Sequence, residues 1–240
     1  MKLQSFLLIL ILTFFSCSSK SYKDAARNSA GIATPASEQK EDIFQIYTAR
    51  AFSWRGNFAI HPWVAWKKSD DKSYTIAHVT GWRVQRGLPA VTVREDLPDR
   101  LWFDSVPEIL DEHKGEKARR IIEHVESLIE KYPHRDTYTL YPGPNSNTFV
   151  AYLIRHTPEL KIELPANAIG KDYLGQTTFG ALSPSGQGVQ LSAWGLLGLT
   201  LGLNEGIEVN VLGLNFGVDF WTPALKLPFV GRFGFKDRAL

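Results

Sequence analysis

Cysteine is almost absent from this chain of 240 residues, because Cys17 is the only one. A lone cysteine cannot form an intrachain disulfide, so the fold depends on its apolar core for stability. The usual spacings of zinc ligands are missing too: there is no His-Glu-x-x-His, no cysteine pair and no His-x-His. The glycine-rich patterns of phosphate loops and dinucleotide-binding folds are also absent. We therefore expect no metal and no cofactor.

The chain also lacks an excess of charge of one sign. Its formal net charge is +2 at neutral pH, which gives no electrostatic indication of a nucleic-acid partner. Hydrophobic residues make up 44% of the chain and aromatic residues 12%, which is enough for a sizeable core. The length suits one domain, or one domain with an appendage.

One long apolar run is present, over residues 6–15, and Lys2 precedes it. This run is too short to span a bilayer comfortably and has the pattern of a secretory signal sequence. We assign residues 1–16 as a signal peptide. Export to the cell envelope is the expectation that follows.

Cys17 directly follows this run, and its position resembles a bacterial lipobox, in which the cysteine becomes the lipid-modified N-terminus. Phe14 and Phe15 depart from that pattern, since leucine and a small residue are commoner there. A signal peptide cleaved nearby and an uncleaved anchor remain alternatives. The resemblance implies a bacterial lipoprotein that is held at a membrane through Cys17 and faces an unknown envelope substrate.

The remaining chain divides by composition into three parts. Residues 17–42 are polar and without periodicity, which predicts a flexible tether. In the core over residues 43–160, β-branched and aromatic bias predicts strands at 43–50, 58–66, 74–84 and 137–141, and helical spacing predicts helices at 118–131 and 148–155. The predicted class is α+β, an antiparallel sheet with packed helices.

Residues 161–240 form the third part, a glycine-rich β-hairpin extension packed on the same domain. Strands are predicted at 188–202 and 206–218, with a hairpin turn at 204–206. Glu205, Glu208 and the many glycines argue against a membrane helix in this apolar region. Sheet packing is the better explanation of its apolar residues.

The segment Tyr-Pro-Gly-Pro-Asn-Ser-Asn-Thr-Phe over residues 141–149 predicts a sharp turn into a helix. Asn145 and Ser146 are both favoured at helix N-caps. A helix N-terminus presents unpaired N–H groups and a partial positive charge, which can activate a nucleophile. Ser146 is thus either a helix cap or a catalytic residue.

Two of the six histidines lie in strand-like apolar segments. His61 precedes Pro62 and Trp63, and His78 lies on the next predicted strand, so the two are candidate neighbours on one face of an antiparallel pair. They are interpreted either as two core imidazoles or as a general base with the group that orients it. The other four histidines are interpreted as structural: His113, His124, His134 and His156.

The order of strand histidine, second strand histidine and helix-initial nucleophile resembles the circularly permuted papain-like proteins. These include NlpC-type peptidoglycan endopeptidases, lecithin:retinol acyltransferase-like enzymes and PPPDE-type peptidases. The resemblance covers residues 43–155 and implies His61 as base, His78 as orienting group and Ser146 in place of the family's cysteine. It also implies a substrate groove or oxyanion hole near Asn145, Asn147 and Trp63.

The motif at 141–149, with Leu164-Pro165 and residues 169–173 further on, also resembles a bacterial family of unknown function whose members are often lipoproteins. Two functions remain open. One is a hydrolase or acyltransferase that acts on an amide or ester through Ser146, His61 and His78. The other is a non-catalytic envelope lipoprotein whose groove binds a peptide, glycan or lipid.

Overall fold

The protein is described by a computed structural model that covers residues 21–235. The signal peptide expected over residues 1–16 and the lipidation site at Cys17 lie outside the described residues. Within the described range the chain forms two antiparallel sheets with few helices. This agrees in broad terms with the predicted α+β class.

The first sheet has five strands in the order β4-β3-β2-β1-β5. They are β1 (Ile43–Arg50), β2 (Ile60–Lys67), β3 (Thr75–Val79), β4 (Val91–Glu95) and β5 (Glu108–Lys114). The sequence did not predict β5, an edge strand whose residues are partly exposed and therefore carry no clear apolar alternation. The strand predicted at 137–141 does not form, and α1 (Gly81–Val84) replaces the end of the strand predicted at 74–84.

One face of this sheet packs against two helices, α2 (Gly115–Glu130) and α3 (Ser146–His156). Both helices were predicted, and α2 buries apolar residues at helical spacing. Side chains of β2 that face the helices include Ile60 and Val64, which join the same apolar cluster as Phe149 and Leu153. Successive strand residues point to opposite faces, so His61 and Trp63 point away from these helices.

Irregular segments cover the opposite face of the first sheet. Trp63 donates its indole N–H to the carbonyl of Pro98 at 2.8 Å, and Tyr74 donates its hydroxyl to Thr34 at 2.9 Å. The Asp99 carboxylate accepts bonds from Ser29 and from the backbone of residues 32 and 33. Residues 25–42 therefore lie against the domain, which differs from the flexible tether expected over residues 17–42.

The second sheet contains seven consecutive strands, β6 to β12, in sequence order. They are β6 (Gly180–Leu182), β7 (Gly188–Ala193), β8 (Leu197–Gly202), β9 (Gly206–Val211), β10 (Leu214–Asp219), β11 (Ala224–Leu227) and β12 (Gly231–Gly234).

Each long strand predicted in this region is in fact a hairpin, because a tight turn interrupts it. Trp194-Gly195 and Leu212-Gly213 form the two turns, and all four residues have positive φ. Leu212-Gly213 is a two-residue loop between paired Val211 and Leu214, and the right-handed strand twist favours positive φ at both of its residues. The first turn is one residue longer, because Ala193 pairs with Leu197.

The second sheet is inverted with respect to an ordinary surface sheet. Its polar side chains are buried against the rest of the domain, and its large apolar side chains are exposed. Strand β9 shows the pattern: Glu208 and Asn210 are buried, whereas Ile207 and Val209 are exposed. The sheet predicted for this region forms, but its large apolar side chains lie on its exposed side.

Candidate functional site

His61 and His78 meet on the face of the first sheet that points away from the helices. Nε2 of His61 lies 3.3 Å from Nδ1 of His78, within hydrogen-bond distance. Both side chains are buried. The sequence prediction that the two histidines are neighbours on one face is confirmed.

Aromatic rings enclose this histidine pair. The ring of Trp102 stacks on His61 at a centroid distance of 3.7 Å and meets His78 edge-on. Trp63 stacks on Tyr47 at 5.4 Å and lies beside His61. Trp63 is therefore part of a packed aromatic wall, with its indole N–H already bound to a backbone carbonyl. Trp102 lies on a loop and was not among the residues predicted for the site.

Burial keeps both imidazoles neutral. It lowers the pKa of His61 well below its usual value, and the neighbouring His78 lowers it further. Burial also lowers the pKa of His78 to about 3, with Arg94 adding to the effect and Asp96 opposing it. A neutral imidazole carries one donor and one acceptor nitrogen, so one ring donates its N–H and the other accepts it.

Because His61 and His78 are buried in the neutral form, we expect the protein to lose stability in acid. An unfolded histidine takes up a proton near its usual pKa of about 6.5, whereas the folded pair stays neutral until the pH is far lower. The stabilisation is therefore complete above about pH 6.5 and is lost as the pH falls, by about 1.4 kcal/mol per pH unit for each histidine.

Urea unfolding at about pH 7, 6 and 5 measures this change in the free energy of unfolding. His78→Gln should reduce the slope by about half, whereas exposed His124→Gln should leave it unchanged; equal slopes for all three chains would contradict the prediction.

Ser146 does not join the histidine pair. It is the first residue of α3, which packs on the face that Ile60 and Val64 share, opposite to the face of His61. In the described range of 21–235, no hydrogen bond connects the Ser146 hydroxyl to either imidazole. The predicted Ser146–His61–His78 constellation is thus only half assembled.

Asn145 is the N-cap of α3. Its Oδ1 accepts bonds from the backbone N–H groups of Asn147 at 2.9 Å and Thr148 at 3.2 Å. Those N–H groups were the expected oxyanion donors, and the cap already satisfies them. The Asn145 amide donates to the carbonyls of Leu140 and Ile169, each at 3.0 Å.

Two neighbouring side chains bind the same distant loop. The Asn147 amide donates to Ile169 at 2.8 Å and to Ile60 at 3.4 Å. The Thr148 hydroxyl donates to the Gly170 carbonyl at 2.8 Å. Gly170 has a φ of +99°, and a Cβ atom there would lie 2.4 Å from the Asn145 amide, so this position requires glycine. We call Asn145, Asn147, Thr148 and Gly170 the joint.

The joint leads directly into the buried polar side of the second sheet. Lys171 and Lys226 alternate with Glu163 and Glu208 in a ring of four buried ionisable side chains. Burial raises the pKa of Glu163 to about 8, with Glu208 adding to the effect and Lys226 opposing it. Next to it, Asp172 accepts hydrogen bonds from three side chains of the sheet: Gln190, Asn210 and Asn215. This network of buried polar side chains was not predicted from the sequence. Its signal was the alternation of apolar and polar residues in β9, which marks two distinct faces.

Neither of two cavities on the described part of the chain is lined by Ser146 or by the joint. Two cavities of about 350 and about 340 Å³ are lined by other residues: one includes Asp111 and His113, the other Arg83 and Arg94. Within residues 21–235 no group of three or more His, Cys, Asp or Glu residues is placed to hold a metal. No helix in that range is long and apolar enough to cross a membrane.

Comparison with known proteins identifies a family for the part of the chain that contains the first sheet, the helices and the joint. Residues 41–173 match the family model described as Protein of unknown function (DUF3750). No curated protein and no solved structure matches the chain. Because the match covers more than half of the 240 residues, the chain belongs to this family.

Proposed function

We propose that this DUF3750 protein is a non-catalytic lipoprotein of the cell envelope, anchored through Cys17, whose domain presents a binding surface. The observation that carries the non-catalytic part is the placement of Ser146. A serine hydroxyl needs a general base within hydrogen-bond reach to act as a nucleophile. The two bases predicted from the sequence, His61 and His78, point to the other face of the sheet.

Two further features support this proposal. The side chains around Ser146 are engaged in capping α3 and in holding residues 169 and 170. His61 is stacked on Trp102 and lies beside Trp63. Burial lowers its pKa, so it is a poor base at neutral pH. A structural joint and a packed imidazole pair explain these residues without a reaction.

The likeness to permuted papain-like proteins becomes, in this proposal, a likeness of layout only. An antiparallel sheet packed by a helix that begins at the nucleophile position is the shared element. The serine and the two histidines lie on opposite faces of that sheet. Fold likeness does not by itself imply activity.

Cell-envelope location and anchoring rest on the sequence. The apolar run at residues 6–15 ends at the sole cysteine, Cys17, as in lipoprotein signal sequences. Diacylation of one cysteine supplies two chains, which is enough for stable membrane attachment.

The non-catalytic assignment is tested by placing a thiol at position 146. In a Cys17→Ser background, Ser146→Cys should react with iodoacetamide no faster than Val106→Cys. Position 106 provides an ordinary exposed thiol for reference, since Val106 is 63% exposed and Ser146 is 6% exposed. Addition of His61→Gln should leave the rate unchanged, since the imidazole is not in contact with position 146.

The outcome that would overturn the assignment is equally specific. If Ser146→Cys reacts about tenfold faster than Val106→Cys, and His61→Gln removes that excess, the environment activates a nucleophile. The protein would then be an amide or ester hydrolase or acyltransferase.

A further inference from the structure

The outward side of the second sheet is a continuous apolar surface. Its central rows are formed by directly paired residues: Leu199 pairs with Leu191 and Val209, and Val209 pairs with Phe216. We call the outward side chains of β6 to β12 the apolar face. Its members in the strands are Leu182, Val189, Leu191, Leu197, Leu199, Leu201, Ile207, Val209, Val211, Phe216, Val218, Leu225 and Phe233, all exposed.

No charged side chain interrupts this face. Residues 180–235 contain five charged residues, and each lies on the inward side or at its margin: Glu205, Glu208, Asp219, Lys226 and Arg232. Four of them are buried, and Arg232 is half-buried and paired with Asp219 at 2.7 Å. Soluble monomers rarely expose an apolar patch of this extent, so the face is expected to be covered by something.

The orientation of the sheet is fixed by the domain itself. The ring of Lys171, Glu208, Lys226 and Glu163 and the bonds to Asp172 attach its polar side inward. Burial of so many charges costs free energy unless they are paired. The domain therefore holds the apolar face outward by specific contacts.

The start of the chain limits how far the domain can lie from a lipid surface. Ala25 is buried against the domain, so eight residues separate it from the proposed anchor at Cys17. Such a length spans at most about 28 Å when fully extended. The anchor thus keeps the domain close to the membrane.

Aromatic residues at the strand ends fit the same environment. Trp194 lies in the turn after β7, Phe220 and Trp221 follow β10, and Phe229 precedes β12, and all four are exposed. Tryptophan and other aromatic rings are favoured at the boundary between lipid headgroups and acyl chains. Aliphatic side chains in the middle with aromatic rings at the ends match an interfacial lipid contact.

We propose that the apolar face binds a lipid bilayer and inserts its side chains among the acyl chains. The proposal rests on the proposed function only in that the anchor at Cys17 argues for lipid as the occupant; insertion of the face itself does not require the anchor. Because the face carries no charge, contact should depend on apolar burial, and neither anionic lipid nor low salt should be needed.

Because Cys17 is the sole cysteine, its replacement gives a chain in which an introduced thiol is the only one. In the full chain with Cys17→Ser, a single thiol is introduced at Val209→Cys on the central strand and labelled with an environment-sensitive dye. Val106→Cys is the matched control, an equally conservative change on an exposed loop before β5. Each protein is reconstituted with neutral phosphatidylcholine vesicles that carry a quencher on their acyl chains.

The dye at position 209 should shift to shorter wavelength and be quenched roughly threefold or more relative to the dye at position 106, because only the first lies within the acyl region. High salt should not change the result. Val218→Cys, on the neighbouring strand of the same face, provides a second probe in case Val209→Cys fails to fold.

Two results would overturn the proposal. Equal emission and quenching at positions 209 and 106 would show that the face does not touch lipid. Oxidative cross-linking of Val209→Cys chains into dimers, without lipid quenching, would show that a second copy covers the face. Fatty-acid labelling of the wild type but not of Cys17→Ser tests the anchor separately, so failure of the anchor and failure of the face are distinguishable.

Discussion

Replacement of Lys171 by methionine should lower the free energy of unfolding by about 3–5 kcal/mol, because removal of one partner leaves a buried charge uncompensated. The Lys171 ammonium is bonded to Glu208 and lies 4.0 Å from Glu163. Burial lowers the pKa of Lys171, but the surrounding carboxylates raise it more, so this lysine is charged at neutral pH. Urea unfolding followed by circular dichroism measures the loss.

Lys117→Met is the matched control, since Lys117 is exposed on α2. It should change the free energy of unfolding by no more than about 0.5 kcal/mol. The double variant Lys171→Met with Glu208→Met should be less destabilised than the sum of the two single variants, because neither charge is then left alone. A loss below about 1 kcal/mol for Lys171→Met would mean that the ring does not hold the sheet.

Much of the first sheet and its helices could be predicted from local patterns. The strand at 43–50 and the helix around Ile121 and Val125 match their predictions closely, since propensity and apolar spacing agree there. Pairing of His61 with His78 was also predictable, because antiparallel neighbours share a face.

The side of the sheet to which His61 points, relative to Ser146, could not be predicted. Strand β2 is buried on both sides, so its sequence shows no alternation that would tell one face from the other. Only the structure reveals that Ile60 faces the helices and His61 does not. Because side chains alternate along a strand, a difference of one residue in β2 decides whether a histidine faces Ser146 or points away from it.

The inverted second sheet was unpredictable for a different reason. Alternation in β9 identifies two faces, but the ordinary rule assigns the apolar one to the interior. The partners that reverse this rule are far away in the sequence: Glu163 lies more than 60 residues before Lys226. Pairs of charged residues so far apart in the sequence produce no local sequence pattern from which they could be predicted.

Asn145→Ala should lower the free energy of unfolding by about 2–4 kcal/mol, whereas Ser146→Ala should lower it by less than about 1 kcal/mol. Asn145 caps two N–H groups of α3 and donates to the carbonyls of Leu140 and Ile169. Its loss removes the cap and leaves both carbonyls without these donors. The Ser146 side chain makes no hydrogen bond in the described part of the chain.

The same pair of variants separates the two explanations of the motif at residues 141–149. If the motif is a joint, Asn145→Ala should also make residues 157–179 more sensitive to limited proteolysis, because the bond from Asn145 to Ile169 is lost. Ser146→Ala should leave the cleavage pattern unchanged. Stability and proteolysis that respond equally to both substitutions would contradict this division of roles, since Ser146 would then contribute to the joint as much as Asn145 does.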